Sequence, residues 1–332
     1  MAEYKGIHGT KIQNYTTDPD NPITGQVWYN ETSQTMKFQY PTTINAWSTG
    51  GNTNTGRQEA GGNGTQTAAL VYGGRTAPQT GVTESYNGSA WTEVNDLNTG
   101  RSGITGFGTQ TAAIGAGGYQ PTPPYVRTIV ESWNGTSWTE TTDIGTARYL
   151  GGAAGTQTAG LFATGRAGIP GPFSTATESW NGSAWTELND VNTGRFRVGG
   201  DGTQTSAIIF GGANPTTTTP SPVETWNGTS WTETTDLNTT RQGAGGAATD
   251  NTAALAFGGS APPTRYANTE LWNGTSWTET TDLNTAKNVM AAAGTEGSAL
   301  SATGANPSTS YSNTTEEWTG AGSPLIQTFT DS

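Results

Sequence analysis

Cysteine is absent from this 332-residue sequence, which excludes disulfides, thiolate metal sites and cysteine nucleophiles. Histidine occurs once, at His8 in the N-terminal segment, so histidine triads and multi-histidine metal centres are excluded as well. Charge is sparse, at 12% of residues, and basic charge sparser still: 14 Lys and Arg against 26 Asp and Glu leave a net charge of −12. Phosphate backbones and anionic membrane surfaces need the opposite balance, which argues against nucleic acid and membrane partners. No run of about 18 apolar residues is present, so no membrane span is expected. Nor does an apolar run follow the start MAEYKGIHGTK, as a secretory signal requires. No metal and no organic cofactor are expected, and most enzyme chemistry lacks its parts.

Aliphatic residues are scarce too. Leu, Ile, Val and Phe together number 41, which with this net charge reads as disorder. Against that reading stand 12 Trp and 11 Tyr. Each buried aromatic withdraws about 150–250 Å² from water. At about 25 cal/mol per Å², that is on the order of 4–6 kcal/mol gross per Trp. Aromatics at core positions can therefore replace the missing aliphatics.

They recur at fixed positions. The string E-x-[WY]-N-G-[ST]-x-W begins at Glu84, Glu131, Glu178, Glu224 and Glu270, at spacings of 46 or 47 residues. Each copy is followed by Thr-Glu and a turn such as DLNTGR that ends in a cation. A Gly/Ala-rich run, GTQTAA or a variant, and a small apolar run complete the unit. The candidate structural core is Trp47, Trp91, Trp133, Trp138, Trp180, Trp185, Trp226, Trp231, Trp272, Trp277 and Trp318, all within the pattern.

Four short strands fit each unit, in the second unit SGITGFG (a), TAAIGAGG (b), TIVESW (c) and SWTETT (d). Asn-Gly between c and d is a type I′ hairpin signal. With Asn134 and Gly135 as the two turn residues, Trp133 is expected opposite Thr136 and Glu131 opposite Trp138, with both Trp on one face. The ends are two half-units: Trp47 opens one without its E-x-W-N-G, and Glu317 with Trp318 opens the other. A linear solenoid gains nothing from complementary halves, whereas a ring closes with them. The expected fold is all-β: a six-bladed β-propeller over residues 43–322, its last blade joining a strand at Trp47 to strands at Trp318. Residues 323–332 are expected to be a tail.

With Gly73-Gly74, Gly117-Gly118, Gly211-Gly212 and Gly258-Gly259 closing strand b, then an aromatic, a Trp and an Arg, the unit resembles the kelch repeat. The third unit keeps only Gly165 and the sixth only Gly304, and the W-N-G-T-S-W hairpin is tighter than the usual kelch turn. The resemblance implies the propeller fold. Kelch propellers range from oxidases to adaptors, so it implies no activity, and the metal ligands of kelch-type oxidases have no counterpart.

Residues 1–42 lie outside the repeat. GQVWYN, a turn at ETSQ and TMKFQY read as a β-hairpin arm. Some 40 residues without disulfide or metal rarely build their own core, so the arm should dock on its own copies in a homo-oligomer or on a larger assembly. The pattern G-x-V-W-Y-N-x-T-x-x-x-M-K-F resembles hairpins near the N-termini of bacteriophage tail fibres and other virion proteins. That resemblance implies attachment to other virion proteins through residues 1–42 and a place on the phage particle.

Several constellations invite chemistry. The series Arg57, Arg101, Arg148, Arg195, Arg241 and Lys287 is a candidate anion ring, one cation per blade, unless it pairs with Asp96, Asp143, Asp190, Asp236 and Asp282 or with loop carbonyls. The repeated Glu residues sit in successive blades, too dispersed for the close carboxylate pair of a glycosidase. Asp18, Asp20 and Asn21 start like a calcium loop but lack its Gly and closing Glu. The Asn-Gly-Ser/Thr sequons are explained by the hairpin turn, and no glycans are expected. The b–c loops diverge and hold twelve of the 16 prolines, together with Tyr119, Tyr125, Arg127, Phe173, Arg265, Tyr266 and Tyr311. Stiff, variable, aromatic-bearing loops on a rigid scaffold make a candidate ligand-binding face. The expected function is a non-enzymatic virion component: a tail-fibre or receptor-binding protein whose loop face takes a host surface glycan or protein. A capsid or tail decoration protein is the alternative, and a propeller glycosidase or lyase the third reading.

Overall fold

The computed structural model describes residues 12–19, 26–41, 45–214, 222–321 and 324–328. His8, Asp20, Asn21 and most of the Pro-rich loop of the fourth unit lie outside these residues. The chain divides into two compact units, residues 1–45 with 319–332, and residues 46–318.

The larger unit is all-β and propeller-like, built of open four-stranded antiparallel sheets ordered a-b-c-d. Among the described residues there are six. The first comprises Gly61–Gly64, Ala69–Tyr72, Thr83–Tyr86 and Trp91–Val94. The second comprises Thr105–Gly108, Ala113–Ala116, Val130–Trp133 and Trp138–Glu140, and the third Gly152–Thr156, Ala159–Ala163, Thr177–Trp180 and Trp185–Glu187. The fourth comprises Gly199–Thr203, Ser206–Phe210, Val223–Trp226 and Trp231–Thr234, and the fifth Gly245–Asp250, Ala253–Phe257, Thr269–Trp272 and Trp277–Thr280. The sixth takes Ala291–Thr295, Ser298–Ala302 and Thr315–Thr319 from one end of the repeat region and Ala46–Thr49 from the other.

The c–d turn differs from the sequence expectation. Trp133 pairs with Trp138 and Glu131 with Glu140, so the loop holds four residues, not two. Asn134 is the cause: its Oδ1 accepts the N–H groups of Thr136 and Ser137, an Asx-type cap that takes the place of a two-residue turn. Gly135 supplies the required left-handed φ of 90°. Two indoles meet in five of the sheets, tilted to one another with ring centroids 5.2–5.4 Å apart, and in the first sheet Tyr86 stacks on Trp91 at 4.8 Å.

These aromatic pairs make the core, which lies between sheets. Trp133 and Trp138 pack with Leu70 and Tyr72 of the preceding sheet, and Trp226 and Trp231 with Leu161 and Ala163. The series returns to its start, because Tyr86 and Trp91 of the first sheet pack with Leu300 and Ala302 of the sixth. Trp185 departs from the expectation of a fully buried core: it is only partly buried against its cluster.

The innermost connections form a second cyclic pattern. Gly103 N–H donates to the Glu59 carbonyl, Leu150 to Gly103, Arg197 to Leu150, Gly243 to Arg197, Val289 to Gly243, and Glu59 to Val289. All six bonds measure between 2.7 and 2.9 Å. Each of the six residues has a left-handed φ, from 50° at Val289 to 65° at Gly243. For Glu59, Leu150, Arg197 and Val289 that conformation costs about 1–2 kcal/mol each, which the surrounding packing must offset.

In the smaller unit, Val27–Asn30 pairs antiparallel with Thr35–Pro41 across the turn at residues 31–34, and Gln13–Tyr15 adds in parallel. Within the span expected to be a tail, Pro324–Thr328 is a strand that pairs antiparallel with Thr35–Pro41. Asp18 ties this unit together: it accepts from Trp28 Nε1 at 3.1 Å and Asn30 Nδ2 at 2.8 Å, and pairs with Lys37 at 2.7 Å. Burial pulls its carboxyl up, but the bonds from Lys37, Asn30 and Trp28 outweigh it and hold the pKa below the usual value.

Candidate functional site

The cation series is not an open ring. Arg57, Arg101, Arg148, Arg195, Arg241 and Lys287 are fully buried. Their partners are the repeated glutamates of strand c and not the Asp series. Arg57 meets Glu84 at 2.8 Å, Arg148 meets Glu178 at 2.7 Å, Arg195 meets Glu224 at 2.6 Å and Arg241 meets Glu270 at 2.9 Å. Arg101 pairs with Glu131 in the same way. The Asp residues stand exposed at the outer ends of strand d, where Asp96 accepts from Thr83 N–H and Asp143 from Thr128 Oγ1.

Each glutamate is a hub for the turn that precedes its own sheet. Glu84 also accepts from Asn54 N–H and Nδ2 and from Thr55 N–H, so the N-T-x-R turn is clamped by one carboxylate. Burial lowers the guanidinium pKa of Arg57, Arg148, Arg195 and Arg241, and the facing Glu pulls each back up. In the sixth sheet the hub is Glu316, not Glu317: it accepts from Asn284 N–H and pairs with Lys287 at 3.4 Å. Glu317, one residue out of register, instead accepts the Tyr86 hydroxyl.

Two cavities among the described residues are candidates for function. One, of about 150 Å³, runs between the inner strands of all six sheets and is lined mostly by Gly and Ala, with Asn63 and Asp201 among its few polar groups. The other, of about 650 Å³, opens on the loop face, where Glu59, Arg75, Tyr119, Tyr149, Arg166, Phe196, Arg197 and Tyr311 converge. Its construction follows from pairings repeated in every sheet. The residue after the cation bridges the residue after the strand-b glycines, as in Tyr149 with Arg166 and Ser102 with Tyr119. These variable positions are held by backbone bonds on an invariant frame.

A chain of rings crosses this face. Tyr125 stacks on Tyr119 at 6.5 Å, Tyr119 meets Tyr149 at 5.9 Å, Tyr149 meets Phe196 at 6.4 Å, and Phe196 meets Phe173 at 5.3 Å. Arg166 lies over Phe173 and Phe196 at 5.7 and 5.6 Å, and Arg197 over Phe196 at 5.4 Å. Arg197 also pairs with Glu59 at 3.1 Å. Burial raises the Tyr149 hydroxyl pKa, opposed by the neighbouring Arg166.

Of the loop residues singled out in the sequence, Tyr119 and Tyr311 line the cavity, and Tyr125 and Phe173 join it through ring contacts. Arg127 turns back to the Thr122 carbonyl at 3.3 Å, and Arg265 is held by Asn288 Oδ1 at 3.2 Å. Tyr266, whose N–H donates to the Gly259 carbonyl, is not among the lining residues. Sequence reasoning passed over Tyr149, Phe196, Arg166, Arg197, Arg75 and Glu59. Their signal is divergence at the two positions after each cation and the one after each glycine pair: Tyr149-Leu150 and Phe196-Arg197 stand where Gln242-Gly243 and Asn288-Val289 stand elsewhere.

Comparison with protein-family models and with curated proteins finds no match for this chain. The kelch-like and virion-hairpin resemblances therefore rest on their motifs alone. Among the described residues, no helix is long and apolar enough to cross a membrane.

Proposed function

We propose that the six sheets close into a kelch-like six-bladed propeller, and that the chain is a non-enzymatic bacteriophage virion protein binding a host-surface glycan or protein through its loop face. The cyclic backbone bonds and the sixth sheet drawn from both ends of the repeat support the closure. The observation that carries the binding role is the cavity of about 650 Å³ walled by Tyr119, Tyr149, Phe196, Arg166 and Arg197, a size and lining suited to a small ligand or glycan segment. The repeated glutamates are occupied in ion pairs, which supports a role in binding over hydrolysis. The virion assignment draws on the Val27–Phe38 hairpin motif.

Immunogold labelling of intact phage particles, with antibody raised against residues 46–318, tests this reading. Gold at the tail or its tip is the expected result. Gold over the head would make the protein a decoration component with the loop face as a packing surface. Absence of label on any particle would overturn the virion assignment.

A further inference from the structure

The cations of this acidic chain are distributed in a way the fold alone does not require. Of the 14 Lys and Arg, six form the buried ladder with glutamates. The larger unit has five others, Arg75, Arg127, Arg166, Arg197 and Arg265, and all five stand in the b–c or d–a loops. Among the described residues only Arg197 meets a carboxylate, that of Glu59. Three of the five, Arg75, Arg166 and Arg197, line the loop-face cavity, against a single acidic lining residue. Arg166 Nε and Arg197 Nε are enclosed without any hydrogen-bond acceptor. Enclosed donors without acceptors carry a desolvation cost that an anionic ligand would remove.

We infer that this cavity selects a saccharide carrying an isolated acidic group, with the carboxylate or phosphate held by Arg166 and Arg197 and the sugar ring laid on Tyr149 and Phe196. The inference rests on the loop-face binding role proposed above and narrows its ligand. The exposed Asp96, Asp143, Asp190, Asp236 and Asp282 follow strand d at the ends where the b–c and d–a loops leave the sheets. Asp96 and Asp282 show this by accepting from the first residue of strand c. A polymer charged at every unit, nucleic acid included, meets like charge beyond the cavity. A chain with one acidic sugar among neutral ones places its charge where the guanidinium groups are and neutral units across the rim.

Titration calorimetry of the full chain tests this with four probes: sialyllactose and a glucuronate-terminated disaccharide for the carboxylate, a phosphorylated hexose for the phosphate, and lactose as the neutral counterpart. Binding of a carboxylate or phosphate probe, absent for lactose, is expected, and the two anionic arms tell which group is recognised. Arg166→Gln should weaken it about tenfold, consistent with a charge-assisted bond. Arg75→Gln, at an exposed side chain whose loss leaves the fold intact, should weaken it less, and Arg265→Gln, outside the cavity, should not. Raising the salt to about 0.5 M should weaken it further. Lactose binding equal to the acidic probes, insensitive to salt and to Arg166→Gln, would overturn the acidic-ligand inference while leaving the loop-face role standing. Failure of every acidic probe to bind would overturn the inference outright. Binding without any gold on particles would remove the virion reading alone.

Discussion

Trp231 Nε1 donates to Thr177 Oγ1 of the preceding sheet at 2.9 Å, a hydrogen bond that stitches two separately hydrogen-bonded sheets together. The same bond joins Trp138 to Thr83, Trp91 to Thr315 and Trp47 to Thr269. In two sheets the threonine position is held by Val130 and Val223. There the following indoles lose their acceptor: Trp185 turns to the Thr142 carbonyl, and Trp277 Nε1 is left with no partner. Trp277 stays buried all the same, whereas Trp185 is partly exposed.

Exchanging these residues should change stability in opposite directions. Thr177→Val leaves Trp231 Nε1 buried and unpaired and should cost about 1–2 kcal/mol. Val223→Thr gives Trp277 its acceptor at nearly the same side-chain volume and should gain up to about 1 kcal/mol. Urea denaturation checks both, and equal signs would show that the inter-sheet bond carries no weight.

The buried ladder predicts larger effects. Glu224→Gln leaves the Arg195 guanidinium enclosed without a counter-charge, and removing one partner of a buried pair costs about 3–5 kcal/mol. Glu187→Gln, at an exposed carboxylate, should change stability by less than about 0.5 kcal/mol. Thermal unfolding of the two variants separates these outcomes.

Lys287 is the only lysine in the ladder, and burial pushes its ammonium down to about 8 even with Glu316 beside it. The unfolded chain therefore holds this proton more tightly between pH 8 and the ordinary lysine value. Unfolding free energy from this group is constant below pH 8 and rises with pH through that window. Lys287→Arg, which does not titrate there, should flatten the rise between pH 8 and 10, before tyrosines ionise. Denaturation midpoints against pH decide the matter.

Asp201 occupies the place that Asn63 holds in the first sheet, in GGDG against GGNG. Part of its side chain reaches the channel surface, yet enclosure by the inner strands pushes its carboxyl up to about 7. The folded state then binds a proton more tightly than the unfolded one between about pH 4 and 7, so stability falls as pH rises across that range. Asp201→Asn should remove the slope and raise stability at pH 8 by up to about 3 kcal/mol. An unchanged slope in the variant would contradict this placement.

The all-β repeat was legible because its marker residues are large and periodic: a Trp at each strand end leaves little freedom in where the strands lie. Asn-Gly was misread as a two-residue turn because the capping by Asn134 Oδ1 depends on where its side chain folds back. The partner of Arg195 stays open in the sequence between none, the nearby Asp190 and a loop carbonyl; it is Glu224 of strand c, 29 residues on, while Asp190 accepts from Thr175 Oγ1. The aromatic wall at Tyr149 and Phe196 was hidden as well. These residues sit inside the repeated motif, next to its cation, where the regular spacing masks their divergence.

Closure of the six sheets underlies both the channel and the loop-face cavity, which are lined from several sheets at once. Amide hydrogen exchange at Glu59 tests it most directly, because its N–H donates to the Val289 carbonyl and so pairs the first inner connection with the last. With the ring closed, the Glu59 amide exchanges as slowly as those of Gly103, Leu150, Arg197, Gly243 and Val289, through global unfolding. Fast exchange at Glu59 while the other five remain protected would contradict closure.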